Sequence, residues 1–321
     1  MAGKFNNRNL IIVLIVLAGI FLVTRYFRSR TSEGTLKDFQ VKLDTSKIDR
    51  ISIYPKAENQ QEIRFTRKGN LWTVEKGEII AEAEQYSVSN IFSELLNIKA
   101  DQLVALNKNK WAEFQVDDSL GTRVVLSEGK KTKLDLVVGR FNYQPGPQGY
   151  RGGYGQNYGR GLTYVRKSDE NEVYSVEGYL AMIFNQDFKS WRNQILIALT
   201  RDNITRITFQ YPQDTGFVLA IQDSVWTING MRPDSASVAK YLSSLTRKAG
   251  GDFVDDFNAL TAPDYQLIIE GNNMQAVTVK AYNRTENELI LQSSINPKSY
   301  FITRRDGLFK DLFKSRSDFY K

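Results

Sequence analysis

The chain has 321 residues, enough for about two domains, and 43 Lys and Arg against 36 Asp and Glu give it a net charge of +7. It contains neither His nor Cys, which excludes a Ser-His-Asp triad, a thiol nucleophile, a disulfide framework and a zinc site of the usual nitrogen and sulfur type. Carboxylates, hydroxyls, amines and the backbone remain for chemistry.

The first 30 residues carry Lys4, Arg8, Arg25, Arg28 and Arg30 and no acid, so most of the net charge sits there. The remaining 291 residues are nearly balanced, with 38 basic and 36 acidic side chains. Between Arg8 and Arg25 lies an apolar run, Leu10–Val23, of 14 residues. As a helix it is short for a bilayer, but terminal arginines snorkel, and Phe5, Tyr26 and Phe27 suit the interface. No small-x-small cleavage site follows, so the segment is expected to be an uncleaved single-pass anchor and not a signal peptide. Charge is nearly tied across the span and does not orient it.

A polar linker follows, and then an internal duplication. IDRISIY (48–54) recurs as ITRITFQY (204–211), and EIRFTRKGNLWTVE (62–75) recurs as GFVLAIQDSVWTIN (216–229), each an alternating hairpin with Trp72 matching Trp226. A helix comes next in each copy, with Val88, Ile91, Phe92 and Leu95 in one stripe and Val238, Tyr241, Leu242 and Leu245 in the other. Pro233 and Asp234 suit the start of the second helix. RVVLSEG (123–129) matches QLIIEGN (266–272), and TYVRK (163–167) matches YFITR (300–304). Tyr179, Leu180, Ile183 and Phe184 recur as Leu308, Phe309, Leu312 and Phe313, each stripe leading to a basic aromatic tail, FKSWR (188–192) or FKSRS (313–317). The expected class is α+β with antiparallel sheet, in two sheet-plus-helix modules behind one transmembrane helix. The expected organisation is an anchor at 1–30, a linker at 31–44, a first repeat at 45–197 and a second at 198–321.

Residues 142–161 form a Gly/Tyr-rich stretch with seven of the 22 glycines. Arg-Gly-Gly with Tyr is also the composition of RNA-binding tails, but the stretch is short, internal and only weakly positive, so an elongated hairpin tip is the favoured reading and no nucleic acid is expected. Candidate interaction residues are Tyr143, Tyr150, Arg151, Tyr154, Tyr158 and Arg160 in this loop, and Phe188, Lys189, Trp191 and Arg192 in the basic tail.

Candidate catalytic groups are sparse. Asp117-Asp118 and Asp255-Asp256 read as turn residues between helix and strand. Ser127-x-x-Lys130 and Ser237-x-x-Lys240 lack the companion motifs of the penicillin-recognising class. The tryptophans Trp72 and Trp226 read as core packing before sugar binding. No catalytic, metal or cofactor residues are assigned.

The order of anchor, strand, Trp hairpin, helix, Phe114-Gln-Val-Asp117, RVVL, LDLVVGR, Tyr164-Val-Arg166, EVYSV (172–176) and FKSWR resembles the bacterial family known as domain of unknown function 4340. That family typically shows Phe/Tyr-Gly-Leu-Asp where this chain has Phe-Gln-Val-Asp. The resemblance implies a membrane-anchored envelope protein of the kind often encoded beside ABC-type permeases and gliding-motility auxiliary components. It implies an inner-membrane location with the duplicated domain outside the cytoplasm, and offers no catalytic residues to carry over. The expected function is a non-enzymatic binding or scaffold unit for a membrane transport complex. The alternative is a carboxylate-dependent, glycan-acting envelope enzyme, which needs two converging acids.

Overall fold

The computed structural model describes residues 14, 16–22, 39, 41–145, 159–212 and 216–320. In chain order the strands and main helices are β1 (Arg50–Tyr54), β2 (Ile63–Lys68), β3 (Leu71–Lys76), β4 (Ile79–Glu82), α1 (Gln85–Leu96), β5 (Ala100–Ala105), β6 (Thr122–Glu128), β7 (Lys131–Gln144), β8 (Arg160–Lys167) and β9 (Val173–Glu177). They continue with β10 (Ile195–Ala198), β11 (Ile204–Gln210), β12 (Phe217–Gln222), β13 (Val225–Ile228), α2 (Ser235–Ser244), β14 (Arg247–Ala249), β15 (Asp252–Phe253), β16 (Tyr265–Gly271), β17 (Val277–Asn283), β18 (Glu288–Ser293) and β19 (Asn296–Arg304). The class is α+β, largely β, with three antiparallel sheets.

Two compact units divide the chain. The first comprises the described parts of Met1–Arg67 and Tyr86–Phe188, and the second those of Lys68–Gln85 and Lys189–Lys321. In the first unit, seven strands of one sheet run β2-β1-β6-β7-β8-β9-β5. Alternation dictates which face is covered: Ile51 and Ile53 of β1, Ile63 and Phe65 of β2, and Val124 and Leu126 of β6 are all fully buried. The stripe read from α1 is the buried one, Val88, Ile91, Phe92 and Leu95. A short helix, Leu180–Phe184, buries Leu180 and Phe184 and leaves Tyr179 exposed.

In the second unit an eight-stranded sheet runs β13-β12-β11-β16-β17-β18-β19-β15, and β10 pairs with β14 alone. Its core gathers Ile207 and Phe209 of β11, Leu267 and Ile269 of β16, and Val238, Tyr241 and Leu242 of α2. Asp234 caps α2, its carboxylate accepting from the Ser237 N–H at 3.0 Å and the Ser237 hydroxyl at 2.8 Å. The Ser237 hydroxyl is thus committed to the helix start, and Ser237-x-x-Lys240 has a structural reading. Phe309, Leu312 and Phe313 of the last apolar stripe close the same core.

The β3–β4 hairpin belongs to this second unit. The Glu84 N–H donates to the Trp191 carbonyl at 2.9 Å and the Asn193 N–H to the Glu82 carbonyl at 2.8 Å. The Asn193 side chain adds a bond to the Glu82 carboxylate at 3.0 Å.

Of the expected anchor, Leu14 and residues 16–22 are described; they are helical, with large apolar side chains well exposed, Leu14 at 68 % and Phe21 at 61 %. The rest of the anchor and nearly all of the linker up to residue 40 lie outside the described residues. Among the described residues no helix is long and apolar enough to cross a membrane.

Candidate interaction surfaces

The Gly/Tyr-rich stretch begins and ends as a hairpin. Asn142, Tyr143 and Gln144 of β7 pair with Leu162, Gly161 and Arg160 of β8. Tyr143 is 56 % exposed. Arg160 is tied down on three sides, by Asp101 at 2.8 Å, Glu177 at 3.0 Å and the Gln144 side chain at 3.2 Å. Gly161 lets Phe141 and Tyr179 stack at 5.3 Å beside it, because a Cβ there would meet the Phe141 ring at 2.7 Å. Tyr150, Arg151, Tyr154 and Tyr158, the other candidates in this loop, lie outside the described residues.

The basic tail departs from the expected exposed surface. Phe188, Trp191 and Arg192 are buried, at 6 %, 2 % and 3 % exposure. The physical reason is that the Phe188 backbone and the Lys189 and Arg192 side chains are each held by a carboxylate of their own unit. In the first unit the Phe188 N–H donates to the Glu58 carboxylate at 2.7 Å. In the second, Arg192 makes a two-pronged bond to Asp255, at 2.8 and 2.9 Å, with its guanidinium 3.7 Å over the Phe253 ring. Lys189, still half exposed, pairs with Asp252 at 2.5 Å. Asp255 therefore anchors an arginine, which the sequence reading as a turn residue did not foresee.

Three of the segments that carry the family resemblance, Phe114-Gln-Val-Asp117, LDLVVGR and Tyr164-Val-Arg166, meet in the first unit. The helix Trp111–Phe114 ends with Gln115 in the left-handed conformation, φ 56° and ψ 39°. The Val116 N–H returns to the Trp111 carbonyl at 2.9 Å and the Gln115 N–H to the Ala112 carbonyl at 3.2 Å, a Schellman closure. Asp117 then holds the next turn, its Oδ1 accepting from the Ser119 N–H at 2.9 Å, the Ser119 hydroxyl at 2.5 Å and the Leu120 N–H at 3.0 Å. Burial alone raises the Asp117 carboxyl, but these donors outweigh it and hold its pKa below the ordinary 3.8. Gly139, the glycine of LDLVVGR, lies under this turn, where a Cβ would stand 2.3 Å from the Phe114 carbonyl oxygen and 2.6 Å from Val116 Cγ1.

Arg166 of Tyr164-Val-Arg166 is 1 % exposed and closes the node from the other side. It bonds the Val116 carbonyl, and its Nη1 donates to the carbonyls of Lys167, Ser168 and Glu170 at 3.1, 2.9 and 3.3 Å. Its guanidinium lies 3.6 Å over Trp111, and Tyr164 packs on Phe114 with ring centroids 4.6 Å apart. The node is a packing device: a buried cation satisfied mainly by carbonyls.

Each unit also has a cleft. One of about 940 Å³ in the first unit is lined by Lys42, Lys133, Asp135, Lys167 and neighbours. Most of its charges are already spoken for, since Lys133 pairs with Glu128, Lys167 with Glu170, and Asp135 with Arg123. The other, about 480 Å³ in the second unit, lies between β13 and α2, with Trp226, Arg201 and Arg232 among its walls. Among the described residues no three acids gather closely enough to hold a metal ion.

The described residues thus define a largely β protein of the α+β class. The matching family model is that described as Domain of unknown function (DUF4340), over residues 72–268, more than half of the chain, and the chain belongs to that family. No curated protein and no solved structure matches it.

Proposed function

We propose that this chain is a non-enzymatic, single-pass inner-membrane protein. Its duplicated extracytoplasmic part acts as a binding or scaffold unit of an ABC-type or gliding-related transport complex. The observation that carries this reading is one strand order met twice. The order β2-β1-β6-β7-β8-β9-β5 has its counterpart in β12-β11-β16-β17-β18-β19-β15. In both runs the helix stands between the second hairpin and the last strand of the order: α1 precedes β5, and α2 precedes β14 and β15. Supporting it, Arg50-Ile51-Ser52 and Arg206-Ile207-Thr208 sit at matching places in β1 and β11, each the strand between a hairpin partner and a longer-range neighbour. A fold doubled in its packing residues, with no doubled set of catalytic groups, suits assembly better than turnover.

The anchor rests on the apolar run Leu10–Val23 between Arg8 and Arg25, and the transport context on what the family resemblance implies. The copies are assigned as 45–197 and 198–321. Co-purification from native membranes in mild detergent tests the reading. A permease or ATPase subunit should come with the chain, and recovery of the chain alone counts against it. Protease accessibility in spheroplasts should cleave the duplicated part from outside; full protection would place it on the wrong side.

A further inference from the structure

β13 is the end strand of the eight-stranded sheet, with one side unpaired by any strand of that sheet. Asp223 and Ser224 both have positive φ, 50° and 65°, so β12 and β13 are joined by a two-residue mirror-image turn. In such a hairpin the flanking pair, Gln222 and Val225, is the hydrogen-bonded one, and the next, Ile221 and Trp226, is not. The Trp226 N–H and C=O therefore point away from β12, toward the sheet edge. Ile228 faces the same way two residues on, and Met231 satisfies it with bonds of 2.9 and 3.0 Å. Among the described residues no hydrogen bond reaches the backbone of Trp226.

Trp72, the matching residue of the first Trp-Thr hairpin, shows what such a pair accepts. Its N–H donates to Gln85 Oε1 at 2.9 Å, and its carbonyl accepts from Gln85 Nε2 at 3.0 Å and from the Ala83 N–H at 3.0 Å. A carboxamide presents an N–H donor beside a carbonyl acceptor, as a peptide group does, and Gln85 uses its second N–H on the Ala83 carbonyl at 2.7 Å. Gln85 opens α1; the residue that opens α2 is Ser235, too short to reach across. Where Gln85 sits beside Trp72, the 480 Å³ cleft opens beside Trp226.

The cleft also declares a charge. Trp226, Pro233, Val238 and Leu242 supply apolar wall, Arg201 and Arg232 are exposed, and no acid is among the lining residues. Among the described residues neither arginine forms an ion pair, and the nearby Asp234 is engaged in capping α2. We propose that the cleft between β13 and α2 captures an extended acidic peptide segment of a partner protein, which adds as a strand along β13 at Trp226 with its carboxylates on Arg201 and Arg232. This rests on the reading of the chain as a binding unit and names the kind of partner.

The test uses the full-length chain in detergent and a fluorescein-labelled acetyl-(Thr-Glu)4 amide, with (Thr-Lys)4 and a centrally N-methylated (Thr-Glu)4 as controls. The acidic peptide should bind saturably and weaken with salt. The double variant Arg201→Ala/Arg232→Ala should weaken it about tenfold or more, and N-methylation or Ser235→Gln, which restores the internal clamp, should do the same. Absence of saturable binding overturns the proposal, as does equal affinity for the basic peptide, indifference to the arginine variants, or binding to anionic phosphatidylglycerol vesicles without binding to the peptide. Co-purification of a transport complex that persists unchanged in the arginine variants sinks this inference while leaving the assembly role standing.

Discussion

The guanidinium of Arg166 donates from both Nε and Nη2 to the carbonyl oxygen of Val116, each at 3.1 Å. One buried side chain on β8 thereby holds the turn after the helix Trp111–Phe114. A lysine has neither the fork nor the planar face that rests on Trp111. Arg166→Lys is accordingly expected to lose about 2–4 kcal/mol of stability, close to the loss in Arg166→Met, since both leave buried carbonyls without donors. Urea unfolding of the detergent-solubilised chain measures this; a lysine variant as stable as the parent would refute it.

Gln115 occupies a left-handed position, φ 56° and ψ 39°, that glycine adopts without strain. A side chain there is strained by the clash of Cβ with the backbone. Gln115→Gly should raise stability by about 0.5–1 kcal/mol, and Gln115→Val should lower it by more. The order of the three midpoints in one denaturation series decides the matter.

Gly139→Ala places a methyl 2.3 Å from the Phe114 carbonyl oxygen and 2.6 Å from Val116 Cγ1, so the turn must shift to admit it. A loss of about 1–3 kcal/mol is expected. Gly129→Ala is a useful contrast: its Cβ meets nothing within 4 Å, so its cost comes only from the φ of 56°. If the two variants melt together, close approach at Gly139 is not what the position requires.

Asp117 links the same turn to pH. Its folded pKa lies below its ordinary value, so its contribution is fully present above about pH 4 and disappears as pH falls through the folded value. Asp117→Asn should cost about 1 kcal/mol at neutral pH. The gap between parent and variant should close progressively below about pH 4. A gap constant down to strong acid would show that the carboxylate charge does not act here.

Arg192 and Asp255 are predicted to be coupled. In a double-mutant cycle with Arg192→Met and Asp255→Asn, the interaction term should reach about 1–3 kcal/mol. A term near zero would assign the burial of Arg192 to Phe253 alone.

Much of the fold was legible because periodicity reports burial directly. The stripes Val88-Ile91-Phe92-Leu95 and Val238-Tyr241-Leu242-Leu245 are the faces that α1 and α2 bury, and the alternation in IDRISIY and ITRITFQY marks β1 and β11. The tail FKSWR misled because Lys189 and Arg192 read as solvent-seeking. Nothing local says that Asp255, 63 residues on, will meet Arg192. Gln115 hid its role for a different reason: glutamine has no preference for positive φ, so the Schellman closure shows only in the backbone. Trp226 was legible as half of a pair with Trp72. Its unfilled backbone was not, because that depends on which residue opens the following helix.

The hairpin made by β3 and β4 carries a consequence for how the chain reaches its final state. Glu82 and its partner Asn193 lie 111 residues apart. During synthesis this hairpin emerges early and must wait until Trp191, Arg192 and Asn193 have left the ribosome before its outer groups are met. Contacts of such long sequence separation slow folding and keep strand edges open to wrong partners in the interval. Trp72 is partly shielded meanwhile by the neighbouring Gln85, an amide clamp that needs no distant residue. On this account Gln85→Ala should slow refolding and promote aggregation more than it lowers final stability, because the clamp is needed most while the hairpin is still alone.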